Sequence, residues 1–374
     1  MTGIRAVGLA MLAVLWTGFP AGGEPSGGRS RLRLSFLGDI MAHTVNFRAP
    51  DYAPIYRGLR PLLERDDLTF ANLETPVDPS RECSSYPFFN VGPAYLQAAV
   101  QAGIDVFCLA NNHAFDQGPE GLAATLASLE AAGRGSYRRI WYAGTRVQPE
   151  GSFTPVEISC GGVKIGFLAA TQALNVPLPR PYVLQVDYGV PAQAEAFVCL
   201  VRELAPRFDL LVVSYHGGRE YASEPEAGRV WFFRRLLEAG ADIVWGHHPH
   251  VVQGFQLVER PEGRGLILCS TGNLVSGMTW GIDPLRPEEE RSWTGDSVLW
   301  AVGVDCAPAR AEVVSVQATP ITNVRDAWGA MAVSTFPALS RRGLEEPWAA
   351  YFRERSRLLA ERIREWETGA IDPR

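Results

Sequence analysis

The sequence is poor in positive charge, in cysteine and in long apolar stretches. Its 35 Lys and Arg residues are outnumbered by 41 Asp and Glu residues, which gives a net charge of -6 at pH 7. Nucleic-acid binding usually shows a basic patch, so this balance gives no support for a nucleic-acid partner. Six cysteines in 374 residues do not make a disulfide scaffold. After the first 23 residues, no stretch is long and apolar enough to span a bilayer.

Residues 1–23 have the pattern of an export signal. Arg5 precedes an apolar run at residues 6–19, which is shorter than the about 20 residues that a membrane span needs, and small residues follow it. A cleaved signal peptide is therefore predicted, with an uncleaved N-terminal anchor or a misassigned start as the alternative. Residues 24–30, which are rich in Gly, Ser and Pro, are predicted to be a flexible spacer. We expect an exported protein that is periplasmic, extracellular or anchored by its N-terminal segment.

From Arg31 onward, short apolar runs alternate with helical stretches, which is the pattern of an α/β domain. The domain is predicted at residues 31–340. An apolar stripe in residues 341–374 predicts a C-terminal helix that packs on it. The polar segment 281–295 is predicted as a surface loop, with a lid as the alternative. The predicted strands are 32–37, 68–72, 106–110, 140–143, 156–159, 164–170, 210–214, 243–245, 254–258, 266–270, 298–304 and 311–316, and the predicted helices are 93–102, 119–132, 191–205 and 224–239.

Histidine is scarce as well, yet all six histidines lie in short polar motifs that follow predicted strands. The carboxyl ends of strands are where α/β enzymes place their sites. Imidazole with carboxylate is a ligand set for zinc, manganese or iron, so the motifs predict a metal centre. The candidate residues are Asp39 and His43 in the first motif, Glu74 in the second, Asn111, Asn112, His113 and Asp116 in the third, His216 and Glu220 in the fourth, His247, His248 and His250 in the fifth, and Asn273 in a sixth polar turn.

The motifs differ in how strongly each one alone indicates a functional site. Asp39 or Glu74 alone is often only a helix cap, and a lone His216 is more often structural. The third motif is more specific, because two amides, an imidazole and a carboxylate are expensive to bury without a function. An Asn oxygen there can bind a metal. His113 can give a proton to a leaving group while Asp116 holds its tautomer.

The fifth motif carries three histidines within four residues. His248 and His250 are two positions apart, so in extended backbone they share one face and can reach two neighbouring metals. The alternative is a surface tract with adventitious metal affinity. The buried strand predicted at 243–245 argues against that alternative.

Together the motifs resemble the CapA-type poly-γ-glutamate capsule biosynthesis proteins, a family of the calcineurin-like metallophosphoesterase superfamily. The resemblance covers about residues 33–303 and implies an α/β, metallophosphoesterase-like sandwich of two mixed β-sheets flanked by helices. It also implies two divalent metal ions and His113 as general acid. The implied ligands are Asp39 for the first metal, Glu74 as the bridge, Asn112 and His216 for the second metal, and His248 and His250 for one metal each. His43, Asn111, Glu220, His247 and Asn273 are left as residues that contact the substrate or support the ligands.

Two positions depart from the superfamily pattern. The first motif usually has His two residues after the Asp, where this sequence has Met41. The fourth usually has Trp after the His, where this sequence has Gly217. These departures predict that the first metal is weakly held or that its site keeps a position open for substrate.

The function that these residues favour is an exported metal-dependent hydrolase. Two ions, of manganese, zinc or iron, would generate hydroxide from water for attack on a phosphoryl or carbonyl centre, and His113 would protonate the leaving group. The resemblance implies an anionic polymer such as poly-γ-glutamate as substrate, with a peptide or phosphoester also open, and a membrane-bound polymer synthase as partner. Two alternatives remain: a non-catalytic capsule assembly or export factor, and a metal-dependent epimerase or isomerase that acts next to an amide.

Overall fold

Two mixed β-sheets pack face to face, and helices cover the outer face of each sheet. The computed structural model describes residues 30–136, 138–177, 181–307, 310–325 and 329–368. The predicted export signal at 1–23 and nearly all of the predicted spacer at 24–30 lie outside these ranges. Within them, no helix combines the length and apolarity that a membrane crossing requires. The predicted fold class, an α/β sandwich of two mixed sheets flanked by helices, is confirmed.

The first sheet contains eight strands of the described chain. They are β1 (Ser30–Ile40), β2 (Leu68–Leu73), β3 (Val106–Cys108), β4 (Trp141–Ala143), β11 (Asn273–Val275), β12 (Asp296–Ala307), β13 (Arg310–Arg325) and β14 (Met331–Thr335). Their order is β14-β13-β12-β1-β2-β3-β4, and β11 pairs with the end of β1. The strands β1, β2, β3, β4 and β11 run parallel, whereas β12 is antiparallel to both β1 and β13.

The second sheet contains six described strands. They are β5 (Val156–Cys160), β6 (Val163–Thr171), β7 (Leu210–His216), β8 (Ile243–His247), β9 (Val252–Val258) and β10 (Gly265–Thr271). Their order is β5-β6-β7-β8-β10-β9, with the four central strands parallel and the two edge strands antiparallel to their neighbours.

Helices pack on both sheets. The outer face of the first sheet is covered by the helices that precede β4, and the second sheet is covered by α6 and α7. The helices are α1 (Thr44–Phe47), α2 (Ala53–Tyr56), α3 (Arg60–Leu63), α4 (Pro93–Ala102), α5 (Gly118–Arg134), α6 (Pro191–Leu204), α7 (Ala227–Glu238), α8 (Phe336–Ser340) and α9 (Trp348–Thr368), with 3-10 turns at Ala205–Arg207 and Glu290–Gly295. The apolar side chains of α9 join the core between the sheets.

The alternation of side chains along β1 explains the layering. Leu34 and Phe36 face the second sheet, whereas Leu37 faces the helices, so the strand is buried on both sides. Phe36 stacks on Phe70 with ring centroids 4.8 Å apart and meets Trp245 of the second sheet edge-on at 5.5 Å. Aromatic packing between the sheets therefore lies directly beneath the polar strand ends.

The carboxyl ends of the parallel strands from both sheets meet at one edge of the sandwich. Asp39 at the end of β1 is in register with Asn72 of β2 and with Asn273 of β11. In the second sheet, His216 of β7 is in register with His247 of β8. The predicted motifs are thus brought together by strand pairing.

All twelve predicted strands and all four predicted helices are present, although β13 extends well beyond the predicted 311–316. Strands β11 and β14 were not predicted. The segment 281–295, predicted as a surface loop, ends in the 3-10 turn Glu290–Gly295, in which Ser292 and Thr294 are buried. The second half of this segment is therefore part of the packed structure.

Candidate metal centre

Two fully buried carboxylates form the floor of the site. Asp39 and Glu74 are both 0% exposed, and the Asn72 side-chain amide donates to Asp39 Oδ1 at 2.8 Å and to Glu74 Oε2 at 3.3 Å. Glu74 Oε1 has no hydrogen-bond partner, and Asp39 Oδ2 makes no hydrogen bond of good geometry although His250 Nδ1 lies 3.2 Å from it. Since buried carboxylate oxygens are normally satisfied, two such oxygens at one place fit a cation.

The electrostatics of Asp39 and Glu74 favour a positive charge close to the two carboxylates. Burial, followed by the charge of Asp39, raises the pKa of Glu74 well above its ordinary value. Burial also acts to raise the pKa of Asp39, but the adjacent His247 and His250 rings outweigh it and hold that pKa well below its ordinary value. Without a cation, the site therefore favours one negative charge over two. A divalent ion would stabilise both carboxylates in their ionised form.

Gly38 sets the position of Asp39. A Cβ at Gly38 would lie 1.8 Å from the carbonyl oxygen of Gly272, so only glycine allows this approach of the two chain segments. The Asp39 N–H donates to the same carbonyl at 3.0 Å. The close approach fixes the carboxylate of Asp39 at the end of β1.

A second group of donors faces Glu74 from β7 and from the loop after β3. His216 Nε2 lies 2.8 Å from Asn112 Oδ1, 3.1 Å from His248 Nδ1 and 3.6 Å from Glu74 Oε1. Burial, and then His248, lower the pKa of His216 well below its ordinary value, so its ring is neutral. Nitrogen and oxygen atoms converging at these separations are the expected surroundings of a metal ion.

His250 lies between the carboxylates and Asn273. Asn273 Nδ2 donates to the carbonyl oxygens of His250 (3.2 Å) and Thr294 (3.0 Å), which leaves its Oδ1 as an acceptor 3.0 Å from His250 Nδ1. A proton on Nδ1 places the lone pair on His250 Nε2, which lies 3.8 Å from Glu74 Oε1. Asn273 thus holds the tautomer that a metal ligand needs.

Two sets of donors have all their ligand atoms within 4.8 Å of one another. One is Glu74, His248 and His250, and the other is Asp39, Glu74 and His216. Glu74 is common to both, which is the position that the resemblance implied for the bridging carboxylate.

The turn that carries His248 and His250 is not extended, and this part of the prediction is wrong. Both have positive φ, 93° and 57°, which costs energy for residues with a side chain. The fully buried Arg229 holds the flanks of the turn, donating to the carbonyl oxygen of His247 at 3.0 Å and to Gln253 Oε1 at 2.9 Å. The turn, not strand alternation, brings the two rings to within 5.8 Å of each other.

His113 and Asp116 lie at the mouth of the site. His113 Nδ1 is 2.7 Å from Asp116 Oδ2, which also accepts the Phe89 N–H at 2.8 Å. The Phe89 ring packs edge-on against His113 with centroids 4.6 Å apart. A proton shared with Asp116 at Nδ1 leaves Nε2 as the other proton-carrying atom.

The five supporting candidates lie in different surroundings. Asn111 donates to Asn72 Oδ1 at 3.1 Å, His247 Nδ1 lies 3.3 Å from Asp39 Oδ1, and Glu220 Oε1 lies 4.0 Å from His248 Nε2. Asn273 contacts His250, as described above. His43 is set apart: its Nδ1 accepts the Gly277 N–H at 3.1 Å, and its ring packs against Phe89 with centroids 5.2 Å apart.

Met41, which stands where the superfamily has histidine, is buried among apolar side chains between the first sheet and the helices. The position therefore contributes packing.

The sequence interpretation missed three residues. Asn72 links both carboxylates and lies 3.2 Å from His216 Nδ1, and Phe89 packs between His43 and His113. Asn175 Nδ2 lies 3.3 Å from His113 Nε2, and its backbone N–H donates to the Asn112 carbonyl at 2.9 Å. Asn72 is the first residue of the second motif, in which only Glu74 was chosen, whereas the loop that carries Asn175 has no distinguishing pattern.

The chain has four layers, in the order helix, sheet, sheet and helix, which is a metallophosphoesterase-like sandwich. Carboxylate, amide and imidazole donors lie at the strand ends of both sheets. The family model for bacterial capsule synthesis protein PGA_cap matches residues 33–278. The chain belongs to this PGA_cap family, and the predicted CapA-type resemblance is confirmed.

Relatives share about a quarter of the aligned residues with this chain. Capsule biosynthesis protein CapA of Bacillus anthracis is 27% identical over 67% of this chain and 61% of its own length. PGA biosynthesis protein CapA of Bacillus subtilis (strain 168) is 26% identical over 67% of this chain and 64% of its own. A solved structure of a hypothetical protein from Thermus thermophilus aligns with 77% of this chain and 98% of its own, with 18% identity and a TM-score of 0.46. The chain thus spans less than two thirds of the length of these two Bacillus proteins.

Proposed function

We propose that this protein is an exported, metal-dependent hydrolase that acts in the synthesis or processing of poly-γ-glutamate or another anionic capsule or cell-wall polymer. The observation that carries the proposal is the pair of fully buried carboxylates, Asp39 and Glu74, each with an oxygen that makes no hydrogen bond of good geometry among imidazole and amide donors. The family and its named relatives support the link to capsule synthesis. A membrane-bound polymer synthase would be the partner of such a protein.

The donor set fits two divalent cations that share Glu74. Asp39, Glu74 and His250 would hold the first ion. Glu74, Asn112, His216 and His248 would hold the second. The mixture of nitrogen and oxygen donors suits manganese, zinc and iron alike. When bound, such ions supply Lewis-acid activation of water and of the scissile group.

The chain's own contribution to the chemistry is a positioned proton donor. Asp116 fixes the ring of His113 through Nδ1, which leaves Nε2 as the nitrogen that would give a proton to the leaving group. Phe89 covers one edge of the ring and donates its backbone N–H to Asp116, which keeps the pair aligned. Asn175 lies beside Nε2, where it can contact the leaving group.

A second candidate function is that of a non-catalytic assembly or export factor. Met41 removes one histidine from the first metal site, and His43 does not replace it because its ring contacts Phe89 and Gly277. One relative, from Mycobacterium tuberculosis (strain CDC 1551 / Oshkosh), is named a probable polyglutamine synthesis accessory protein. An accessory role on this fold would need the polymer-binding surface but not the proton donor.

Metal analysis with activity screening separates these functions. Wild-type protein and His113→Ala are purified without chelator, and their metal content is measured. Each is then assayed on bis(p-nitrophenyl) phosphate and on γ-linked glutamate oligomers with manganese, zinc or iron restored. We expect equal metal content and a loss of about 10²–10⁴ in rate for His113→Ala.

Three outcomes would contradict the hydrolase. Full activity in His113→Ala would exclude its role as the acid. Wild-type protein that is purified without bound metal and that hydrolyses neither substrate would favour the assembly factor. Deuterium incorporation from solvent into a peptide that is not cleaved would indicate an isomerase.

A further inference from the structure

An arginine with open donor groups lies in the segment between β11 and β12. The Arg291 guanidinium covers the ring of Trp280 at 3.8 Å, and its Nε donates to the Trp280 carbonyl at 3.0 Å. Within the described ranges, no carboxylate lies within 4.0 Å of Arg291, and its two Nη groups have no hydrogen-bond partner. The guanidinium is therefore held by its face and its Nε, while the fork that binds anions in a bidentate manner is free.

Hydrogen bonds connect this arginine to the metal centre. Thr294 Oγ1 donates to the Arg291 carbonyl at 2.9 Å, and the Thr294 carbonyl accepts from Asn273, which holds His250. The packed 3-10 turn that carries Arg291 is thus fixed relative to the site. Burial first, and then the charges of His250, His113 and Arg291, lower the pKa of His43 to about 4, so the charge of Arg291 acts on the same histidine as those of His113 and His250.

Tyr221 lies beside the turn that carries His250. Its ring is 6.2 Å from that of His250, its N–H donates to the Pro249 carbonyl at 2.8 Å, and it is 44% exposed. Burial and Glu220 raise the pKa of Tyr221, and Arg291 opposes them. Arg291 and Glu220 are therefore charges of opposite sign near one tyrosine.

Backbone strain is concentrated at and beside the donor residues. In the part of the chain that the structure describes, the non-glycine residues with positive φ are Tyr221, His248 and His250. Such residues persist where the surrounding structure enforces them, and they cluster at binding sites. Tyr221 is not a candidate metal ligand, so its enforced conformation needs another role at the mouth.

We propose that Arg291, supported by Trp280 and flanked by Tyr221, binds an anionic group of the substrate next to the bond positioned at the metals. This inference rests on the proposed function and adds the residue that recognises the negative charge of the substrate, a carboxylate or phosphate group beside the reacting group. Glu220, next to Tyr221 in the chain, repels a second anion, so the charges of Glu220 and Arg291 together select where the negative group of the substrate lies. A single bidentate contact of this kind contributes about 10- to 100-fold in affinity.

Direct binding tests the inference without depending on catalysis. Calorimetry is run on purified wild-type protein, Arg291→Met and Arg291→Lys with a γ-linked glutamate pentamer, with the same pentamer after amidation of its carboxylates, and with inorganic phosphate. Arg286→Met is the matched control, because Arg286 lies in the same segment, is exposed and pairs with Glu289. Metal content is measured for every variant.

We expect Arg291→Met to weaken pentamer binding about 10- to 100-fold, Arg291→Lys to restore part of it, and the control to match wild type. The amidated pentamer should be insensitive to Arg291. Weakened binding of phosphate alone would support the anion site and assign it to phosphate. Equal binding by wild type and Arg291→Met, or no binding of pentamer or phosphate to wild type, would overturn the proposal.

The two proposals fail in different ways. Arg291-dependent binding without metal or hydrolysis would leave the anion site standing and remove the hydrolase. Hydrolysis that does not depend on Arg291 would leave the hydrolase standing and remove the anion site.

Discussion

Replacing Glu74 by glutamine should make the metal-free protein more stable and the metal-loaded protein less so. Glu74 is fully buried, its Oε1 has no partner, and burial and Asp39 raise its pKa. Glutamine keeps the shape and removes the charge that the metal-free site tolerates poorly. Relief of strain at a functional site is commonly worth about 1–2 kcal/mol.

The expected temperatures follow from the size of the chain. With an unfolding entropy of about 2.1 cal/mol/K per residue, 374 residues give about 0.8 kcal/mol/K. Metal-free Glu74→Gln should therefore melt about 1–3 °C above metal-free wild type. Metal at 100 times its dissociation constant stabilises wild type by about 2.7 kcal/mol, or about 3 °C. Glu74→Gln should lose most of this gain, since it lacks the carboxylate common to both donor sets.

The melting temperatures of wild type and Glu74→Gln are measured by calorimetry, each with chelator and with added manganese or zinc. Glu203→Gln is the control, because its carboxylate is 70% exposed and pairs with Arg207, apart from the donor residues. It should melt like wild type in both conditions. A metal-free Glu74→Gln protein that melts below wild type, or one that gains the full metal shift, would refute the reasoning.

Two further predictions concern residues that surround the donors. His43 has a pKa lowered to about 4 from 6.5, by burial first, so it is neutral in the folded protein, while the unfolded chain takes up its proton between pH 6.5 and 4. Its contribution to stability is full above pH 6.5 and falls by about 3 kcal/mol toward pH 4. His43→Asn, which retains an acceptor for the Gly277 N–H, should flatten this loss in urea unfolding across pH, and a difference curve that is independent of pH would contradict the assignment. Arg229→Met should weaken metal binding about 10- to 100-fold in a calorimetric titration, since it frees one flank of the strained histidine turn; Arg229→Lys should recover part of the affinity, and an unchanged dissociation constant would exclude the role.

Much of the fold could be read from the sequence because strands buried on both faces are continuous apolar runs. Strand β11, three residues at Asn273–Val275, escaped prediction because so short a run has no periodicity and is held by its pairing with β1. The polar motifs were found for a similar reason. Each follows a strand directly, and strands that run parallel end at a common edge.

By itself the sequence indicated which residues gather at the candidate metal centre, because histidine, carboxylate and amide side chains that cluster after apolar strands are costly to bury for packing alone. Tertiary structure alone decided how they meet. The positive φ of His248 and His250 runs against local preference and exists only because Arg229 and neighbouring segments enforce it. Asn175 reaches His113 from 62 positions away along the chain, a contact that no local pattern encodes.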